Sequence, residues 1–568
     1  MSRLGFNLMD LEVLTSNAKQ IQDDVLKEIL TLNANTEYLQ RFLNGSSDKE
    51  LFKKNVPVVT YDDVKPYIER VANGEPSNII SGNSITGFFE SSGTSGGKHK
   101  IFPMNNNYFE NMMQHKALSS TIISRHLHGA KQGKEMMFCF TRPLVKTPSG
   151  LPVSGALSSF FKSEYFKNQP STLYTSPIDV TLCTDNKQSM YCHILCGLVQ
   201  RSEVTSISAI FASTLVQAIN FLETHWKELC SNIQFGHVSE WITDDNCKEA
   251  VSLILAGPNP ELANLIDYEC DQKSWEGIIT RLWPKAKFMG CIVTGSMVQY
   301  IPTLDFYSNK LPIFSMIYGS SETIFGINMD PSCKPHDVSY TCLPNMSYFE
   351  FKRVDEENNY EIVDLVDVKL GCCYELLVTN YYGLHRHRIG DILEVTGFYN
   401  SAPQFRFIRR KEMVLSIQTE ITTEEHLLKA INDATLVLES SNLMLMDNTC
   451  YDDISTNPGH YVFYWELKPK NVNGVERDNE VLVKCCCVME ESLSRLYRVF
   501  RSKDGSIGPL EIRVVQQGTF DSLMYFFVSR GSSISQYKTP VCIKSSEALA
   551  VLEDNVVDRV FSDKCPSL

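Results

Sequence analysis

The sequence predicts an α/β protein with a large N-terminal α/β domain and a smaller C-terminal α+β domain. Three observations predict it. The chain has 568 residues, too many for one ordinary core. Apolar runs of strand and helix character alternate as far as about residue 340, after which strands dominate. A helix then opens at "TTEEHLLKAINDATL", and strands and helices mix to the end. The expected partition is 1–416, a hinge at 417–422, and 423–568.

The elements follow in order. Residues 14–44 place Ile21, Val25 and Ile29, then Tyr38 and Phe42, at helical spacing. "NVPVVTYDDVKPYIERVANG" predicts a short strand, a turn and a helix stopped by Gly74. "SITGFFE" is a strand that leads into the Gly/Ser loop "ESSGTSGGKHK", and "NNNYFENMMQHKALSSTIISRHL" is a long helix. "VTSISAIFASTLVQAINFLETHW" reads as a buried strand turning into an amphipathic helix. "LPIFSMI" reads as one buried strand ending in the turn "YGSSE". "MSYFEFKRV", "CYELLVTNYYGLHRHRIGDILEVTGFY" and "PQFRFIRRKEMVLSI" are strands. Thr422 and Glu425 stand at capping-box spacing ahead of the next helix. The last stretch alternates strands ("GHYVFYWELK", "IRVVQQGTF") with helices ("VLVKCCCVMEESLSRLYRVF", "DSLMYFFVSR").

Charge excludes some classes. The net charge of -14 opposes a nucleic-acid binder or a partner of anionic membranes, both of which call for a basic face. No long uncharged apolar span predicts a transmembrane helix. The N-terminus carries no signal-peptide pattern, and the ending "CPSL" is neither a peroxisomal tail nor a good prenylation site, so cytoplasm is expected. The 18 cysteines lie mostly in apolar contexts and read as reduced core thiols, Cys485 to Cys487 included. His385 and His387 share a strand face but have no third ligand in sight, so no metal is assigned to them.

Three polar clusters interrupt apolar runs. The loop at 90–100 gathers Ser91, Ser92, Thr94 and Ser95 with Gly93, Gly96 and Gly97, and ends on Lys98 and Lys100. It fails the P-loop pattern, because three residues separate Gly93 from Gly97 and His99 follows Lys98. Its composition still suits an anion: glycines admit backbone N–H groups, hydroxyls donate, and lysine adds charge. The second cluster, Tyr318 to Glu322, puts a carboxylate after a strand, where a magnesium ion beside phosphates would want one. The third puts Asp391 beside Arg386, Arg388, Arg409 and Arg410; an ionised aspartate there accepts from both hydroxyls of a ribose or pairs with an arginine.

Taken together these stretches resemble the adenylate-forming enzymes, and more closely the Gretchen Hagen family of plant auxin-responsive acyl acid–amido synthetases. "SSGTSGG", "YGSSETIFGINMDP", "RIGDILEVTGFYNSAPQFRFIRR", "GSIGPLEIRVVQQGTFDSLM" and "SQYKTPVCIKS" carry the resemblance, in order, over nearly the whole chain. The branch with benzoate- and indole-3-butyrate-conjugating members looks nearest. The resemblance implies an N-terminal domain of the adenylate-forming type with a β-barrel-like portion, and a mobile C-terminal domain. It implies ATP and Mg²⁺ as cofactors, a carboxylic acid and an amino acid as substrates, and an amide product with release of AMP and pyrophosphate. A monomer is expected.

By the same resemblance, Ser91, Ser92, Thr94, Ser95 and Lys98 (or Lys100) hold phosphates, and Glu322 holds Mg²⁺. Tyr318, Gly319, Ser320, Ser321, Tyr340, Phe407 and Arg410 line the nucleotide pocket, Asp391 takes the ribose, and Lys538 is the catalytic lysine of the C-terminal domain. Lys116, Leu118, Ser119, Thr214, Met316 and Ile317 form the acyl-acid pocket, and Ser154, Ala156 and Ser158 the amino-acid site. Two departures stand out. Ile421 replaces the lysine relatives carry near the hinge, and Ser119 stands where benzoate-preferring relatives carry an arginine. The more apolar pocket favours an indole alkanoic acid such as indole-3-butyrate. The alternatives are benzoates or chorismate-derived acids, or an acyl-CoA ligase.

Overall fold

A computed structural model describes residues 8–91, 100–130, 132–354, 361–410, 413–417, 420–471, 479–532 and 537–568. Its architecture is the expected mixed α/β one. Four parallel strands, Lys134–Phe138, Val204–Phe211, Phe288–Ile292 and Ile313–Phe314, pair in that order. They are buried under helices, among them Asn186–Val199 and Ala212–Phe235, as a parallel sheet requires. A smaller sheet is built around Gly87–Glu90, which pairs antiparallel with Ile101–Met104 and parallel with Pro152–Gly155. The helix Asn106–His126 follows it. No helix of the described residues is long and apolar enough to cross a membrane.

The strand-rich region is an open eight-stranded antiparallel sheet with Ile362–Asp364 and Ile317–Gly319 at its edges. Here the structure corrects one sequence expectation. "LPIFSMI" is not one strand: Ile313–Phe314 closes the parallel sheet, and Ile317–Gly319 opens the antiparallel one. The chain changes sheets at Ser315 and Met316, so the turn after Gly319 lies where the two sheets meet.

One buried ion pair ties the N-terminal helices to this sheet. Arg386 donates from Nε and Nη2 to the two oxygens of Glu350, each at 2.9 Å, and from Nη1 to the carbonyls of Lys53 and Val56 at 2.8 and 2.9 Å. Its neighbour Arg388 forks onto Glu375 at 2.8 Å. These two arginines therefore serve the sheet, and neither is the partner of Asp391.

In the C-terminal region, Leu443–Asp453, His460–Pro469, Glu511–Val515 and Val556–Phe561 form one sheet. Strand alternation buries both of its faces. Tyr461, Phe463 and Trp465 pack with the helices Glu424–Glu439 and Asn479–Ser492, while Val462 and Tyr464 pack with Thr519–Ser529 and Ser546–Glu553. Cys485 and Cys486 are buried in the first of these layers. The helix cap is Thr423, not Thr422: the Oγ1 of Thr423 accepts from the His426 N–H, whereas Thr422 donates to Glu420. Met413–Ile417 and Glu420–Thr423 pair as a hairpin. Leu415 and Ile417 join the C-terminal core, and Glu420 is buried against Tyr461, Thr422 and Ser494. Ile421 is 46% exposed.

Glu350→Ala leaves the Arg386 guanidinium buried without its counter-charge. The expected cost is about 3–5 kcal/mol, read as a large drop in thermal midpoint. A change within 1 °C would show that the pair does not anchor the N-terminal helices.

Candidate functional site

The site forms where the chain crosses between sheets. Gly319 to Thr323 make a tight turn: the Ser320 N–H donates to the Thr323 carbonyl at 2.9 Å, and the Glu322 N–H to Ser320 Oγ at 3.2 Å. Behind the turn, the Glu322 carbonyl accepts from Asn380 Nδ2 at 2.9 Å and Tyr382 OH at 2.7 Å. Asn380 is itself fixed, its Oδ1 accepting from the N–H groups of Tyr382 and Leu384. Thr323 pairs with Ser347 at 2.7 Å. With its backbone held on one side, Glu322 projects its carboxylate to the other. That carboxylate is 13% exposed, and burial raises its pKa. His387 Nε2 lies 3.8 Å away. Desolvation holds the His387 pKa down at about 4, so this histidine is neutral at pH 7.

Tyr318 carries the second half of the site. Its ring stacks on Tyr340 with centroids 5.6 Å apart, and its hydroxyl donates to Asp391 Oδ2 at 2.7 Å. Tyr340 is placed in turn by Ser315, 2.8 Å from its hydroxyl. Asp391 stands directly across the strand pair from Arg410, with Nε 3.5 Å from Oδ1. Asp391 lies within the strand His387–Tyr399, in which His387 and Arg388 already pair with Val378 and Leu377. Gly390 just before it has φ +87, a conformation that favours glycine. Phe407 packs on Gly295, where a Cβ would lie 3.3 Å from the ring and φ is +62.

The C-terminal domain adds Lys538. Its ammonium lies 4.4 Å from the centroid of Phe211, at the end of a parallel-sheet strand. Desolvation and then the charge of Arg410 lower its pKa to about 8, against Asp391 and Glu424, which raise it. Glu322, Asp391, Arg410 and Lys538 thus share one electrostatic neighbourhood.

Of the phosphate loop, Ser92, Thr94, Ser95 and Lys98 lie outside the described residues. Its neck is visible: the Ser91 N–H donates to the Lys100 carbonyl at 2.8 Å, and the Lys100 ammonium sits 5.4 Å over Tyr61. Glu90 ends the strand before the loop and pairs with Arg142 at 2.7 Å. Arg142 also donates to the Gly531 carbonyl of the C-terminal domain.

The residues expected in the acyl pocket divide. Leu118 and Thr214 are buried, at 0% and 3% exposure, and Leu118 belongs to the core that Met316 and Ile317 pack against. Ser119 faces His115, 3.3 Å from Nδ1. Lys116 is drawn to Gln169 and Tyr174, between the rings of Phe166 and Tyr174. Burial lowers its pKa. In the expected amino-acid site, Ser154 pairs with Phe89 in the small sheet and Ala156 begins a helix. Ser158 has no exposed surface and donates to the Phe140 carbonyl at 3.4 Å, so it braces the wall and offers no contact to a ligand. Asn380, Tyr382 and Phe211 escaped the sequence reading, and His387 entered it only as a rejected metal ligand. The polar "TNYY" inside an apolar run is the one signal for the first two.

Among the described residues no group of three or more His, Cys, Asp and Glu could hold a metal ion. A divalent cation at Glu322 would draw most of its ligands from phosphate oxygens.

The site thus sets two carboxylates, Glu322 in the turn after the sheet-to-sheet crossover and Asp391 on the strand His387–Tyr399, near a lysine of the C-terminal region. Residues 7–313, 340–410 and 425–547 match the N-terminal, central and C-terminal domains of the GH3 family. The chain is 58% identical over 560 residues to 4-substituted benzoates-glutamate ligase GH3.12 of Arabidopsis thaliana, covering 97% of each chain. It is 50% identical to indole-3-acetic acid-amido synthetase GH3.17 of the same plant, covering 98% of this chain and 96% of that one. The solved structure of AtGH3.15 acyl acid amido synthetase in complex with 2,4-DB superposes with a TM-score of 0.92 at 50% identity, covering 99% of this chain and 97% of that one. The chain belongs to the GH3 family of acyl acid amido synthetases, ligases that join acids to amino acids through an amide bond.

Asn380→Ala removes the donor to the Glu322 carbonyl and the one oxygen that accepts from the buried N–H groups of Tyr382 and Leu384. Activity should fall with stability, the latter by about 2–4 kcal/mol. Asn380→Asp keeps that acceptor and should recover part of the stability but not the activity. Equal behaviour of the two variants would remove Asn380 from the support of Glu322.

Proposed function

We propose that the protein adenylates a carboxylic acid with ATP and passes the acyl group to the amine of an amino acid, releasing pyrophosphate and AMP. The observation that carries this reading is the convergence of Glu322, Asp391, Arg410 and Lys538 beside the Tyr318–Tyr340 stack. Asp391 holds the ribose hydroxyls, with Tyr318 donating to its other side. Tyr340, Phe407 and the Gly319–Ser321 turn flank the nucleotide. The loop at 91–98 grips the phosphates. Mg²⁺ fits Glu322, a single buried carboxylate that leaves room for phosphate oxygens, and would neutralise charge on them. The carboxylate of the acid attacks the α-phosphorus and pyrophosphate leaves; the amine then attacks the acyl carbon and AMP leaves. The chain's part in both steps is positioning and charge neutralisation. Lys538, with its lowered pKa, supplies a positive charge that fades above pH about 8. The protein acts on small molecules, as a monomer, in the cytoplasm.

The acid is an aryl-alkyl acid such as indole-3-butyrate. Support comes from the apolar set Leu118, Met316 and Ile317 around Ser119, with no arginine at 119. A second reading, a 4-substituted benzoate, is favoured by Lys116. Its buried ammonium touches only neutral acceptors and rings and could serve a polar ring substituent.

Pyrophosphate release tests both levels. Glu322→Ala should cut it at least about 100-fold with folding intact; wild-type-like release would sink the magnesium assignment. Indole-3-butyrate should outrun 4-hydroxybenzoate in the wild type, and Ser119→Arg should reverse the order. A wild-type preference for the benzoate that disappears in Lys116→Met would establish the second reading instead.

A further inference from the structure

The strand Leu443–Asp453 is the physical link between Lys538 and the N-terminal domain. Toward that domain, Met444 and Met446 enter the apolar cluster of the parallel sheet. The Leu445 carbonyl accepts from Thr303 Oγ1 at 3.0 Å, and Asn448 donates to Gln299. The strand is an edge of its sheet, and its outer side carries the segment after Lys538. Thr449 Oγ1 donates to the Pro540 carbonyl at 2.6 Å, the Cys450 N–H to Val541 at 3.0 Å, and the Ile543 N–H back to Cys450 at 2.9 Å. The register with the neighbouring strand slips between Leu445 and Asp447, a bulge of the kind that re-aims a side chain. The re-aimed side chain is Asp447. Its Oδ2 accepts from Thr539 Oγ1 at 2.8 Å, one residue past Lys538, and its Oδ1 from the Asn448 N–H at 2.8 Å.

We propose that Asp447 is a positioning residue for the proposed reaction: through Thr539 it fixes where the Lys538 ammonium is delivered when the C-terminal domain docks. The proposal rests on the reading of Lys538 as the lysine of the C-terminal domain that acts in the site. Docking brings Asp447 against Tyr300 of the N-terminal domain, while Lys538 lands over Phe211. The titratable groups around Asp447 are Tyr300, Tyr537 and Glu466, with Asp521 beyond Tyr537. Desolvation at this junction pushes the Asp447 carboxyl up to about 7. An undocked, solvated carboxyl titrates near ~4. The docked arrangement therefore holds the proton more tightly. Docking is strongest at acid pH, weakens as pH rises from about 4 to about 7, and levels off above.

The full-length enzyme is assayed in two halves: pyrophosphate release without amino acid, and single-turnover amide formation from preformed adenylate. Lys538→Ala identifies the half that uses the lysine. Thr539→Val should slow that half at least about 10-fold, the scale of a lost hydrogen bond to a carboxyl, and leave the other within about two-fold. The loss should vanish in the Lys538→Ala background, because the two act as a unit. Asp447→Asn keeps an acceptor for Thr539, folds with it, and should lose an ionisation near pH 7 from the profile of that half. An undiminished Thr539→Val loss in the Lys538→Ala background, an unaffected rate, or an unchanged Asp447→Asn profile would each overturn the proposal. If Lys538→Ala spares both halves, the Lys538 reading itself falls.

Discussion

The structure depends on a backbone carbonyl. The oxygen of Glu322 is held by Asn380 and Tyr382, and Asn380 is held by the next two turns of its own loop. A largely buried carboxylate cannot be placed by a free loop, because rotamer and backbone entropy would scatter it. Here the turn is short, hydrogen-bonded within itself, and tied behind to the antiparallel sheet. The crossover at Ser315 and Met316 supplies the remaining constraint: one sheet ends and another begins within three residues. The tyrosine stack and Asp391 inherit their positions from that crossing, since Tyr318 belongs to the same short edge strand.

Much of this was legible in the sequence, for physical reasons. Alternating apolar runs gave the α/β class, and polar turns inside them gave the positions of Tyr318–Glu322 and Asp391. What was not legible was division of labour among like residues. "HRHR" offers two arginines and two histidines next to Asp391, yet Arg386 and Arg388 are committed to Glu350 and Glu375, whose places in sequence carry no visible tie to them. Arg410, nineteen residues along and across a strand pair, is the arginine that reaches Asp391. Pairing register decides that, and register is set by long-range packing. The same limit explains why "LPIFSMI" read as one strand. Its hydrophobicity is continuous, and only its partners reveal that it serves two sheets.

The C-terminal domain is joined to the site by more than a tether. Its hairpin strands Met413–Ile417 and Glu420–Thr423 are rooted in its own core through Leu415, Ile417 and Glu420, so these residues belong with that domain. Its contact with the N-terminal domain mixes methionines with a part-buried ion pair, Lys468 with Glu223, and single hydrogen bonds such as Thr303 with Leu445. Methionine adapts to irregular gaps, and scattered polar contacts each contribute little. That composition is typical of a contact between domains of one chain.

A docking surface of modest strength creates a problem of precision. Catalytic groups must be held to within a fraction of an ångström, but a weak interface alone leaves its side chains loose. The protein meets this by making the lysine's placement a local matter. Lys538 lies between Tyr537, buried in the shared apolar cluster, and Thr539, hydrogen-bonded to Asp447. The segment that follows is zipped along an edge strand whose other side is the docking face. Rigid coupling over a few residues fixes the ammonium relative to the rest of its domain, and so over Phe211 and beside Asp391 and Arg410.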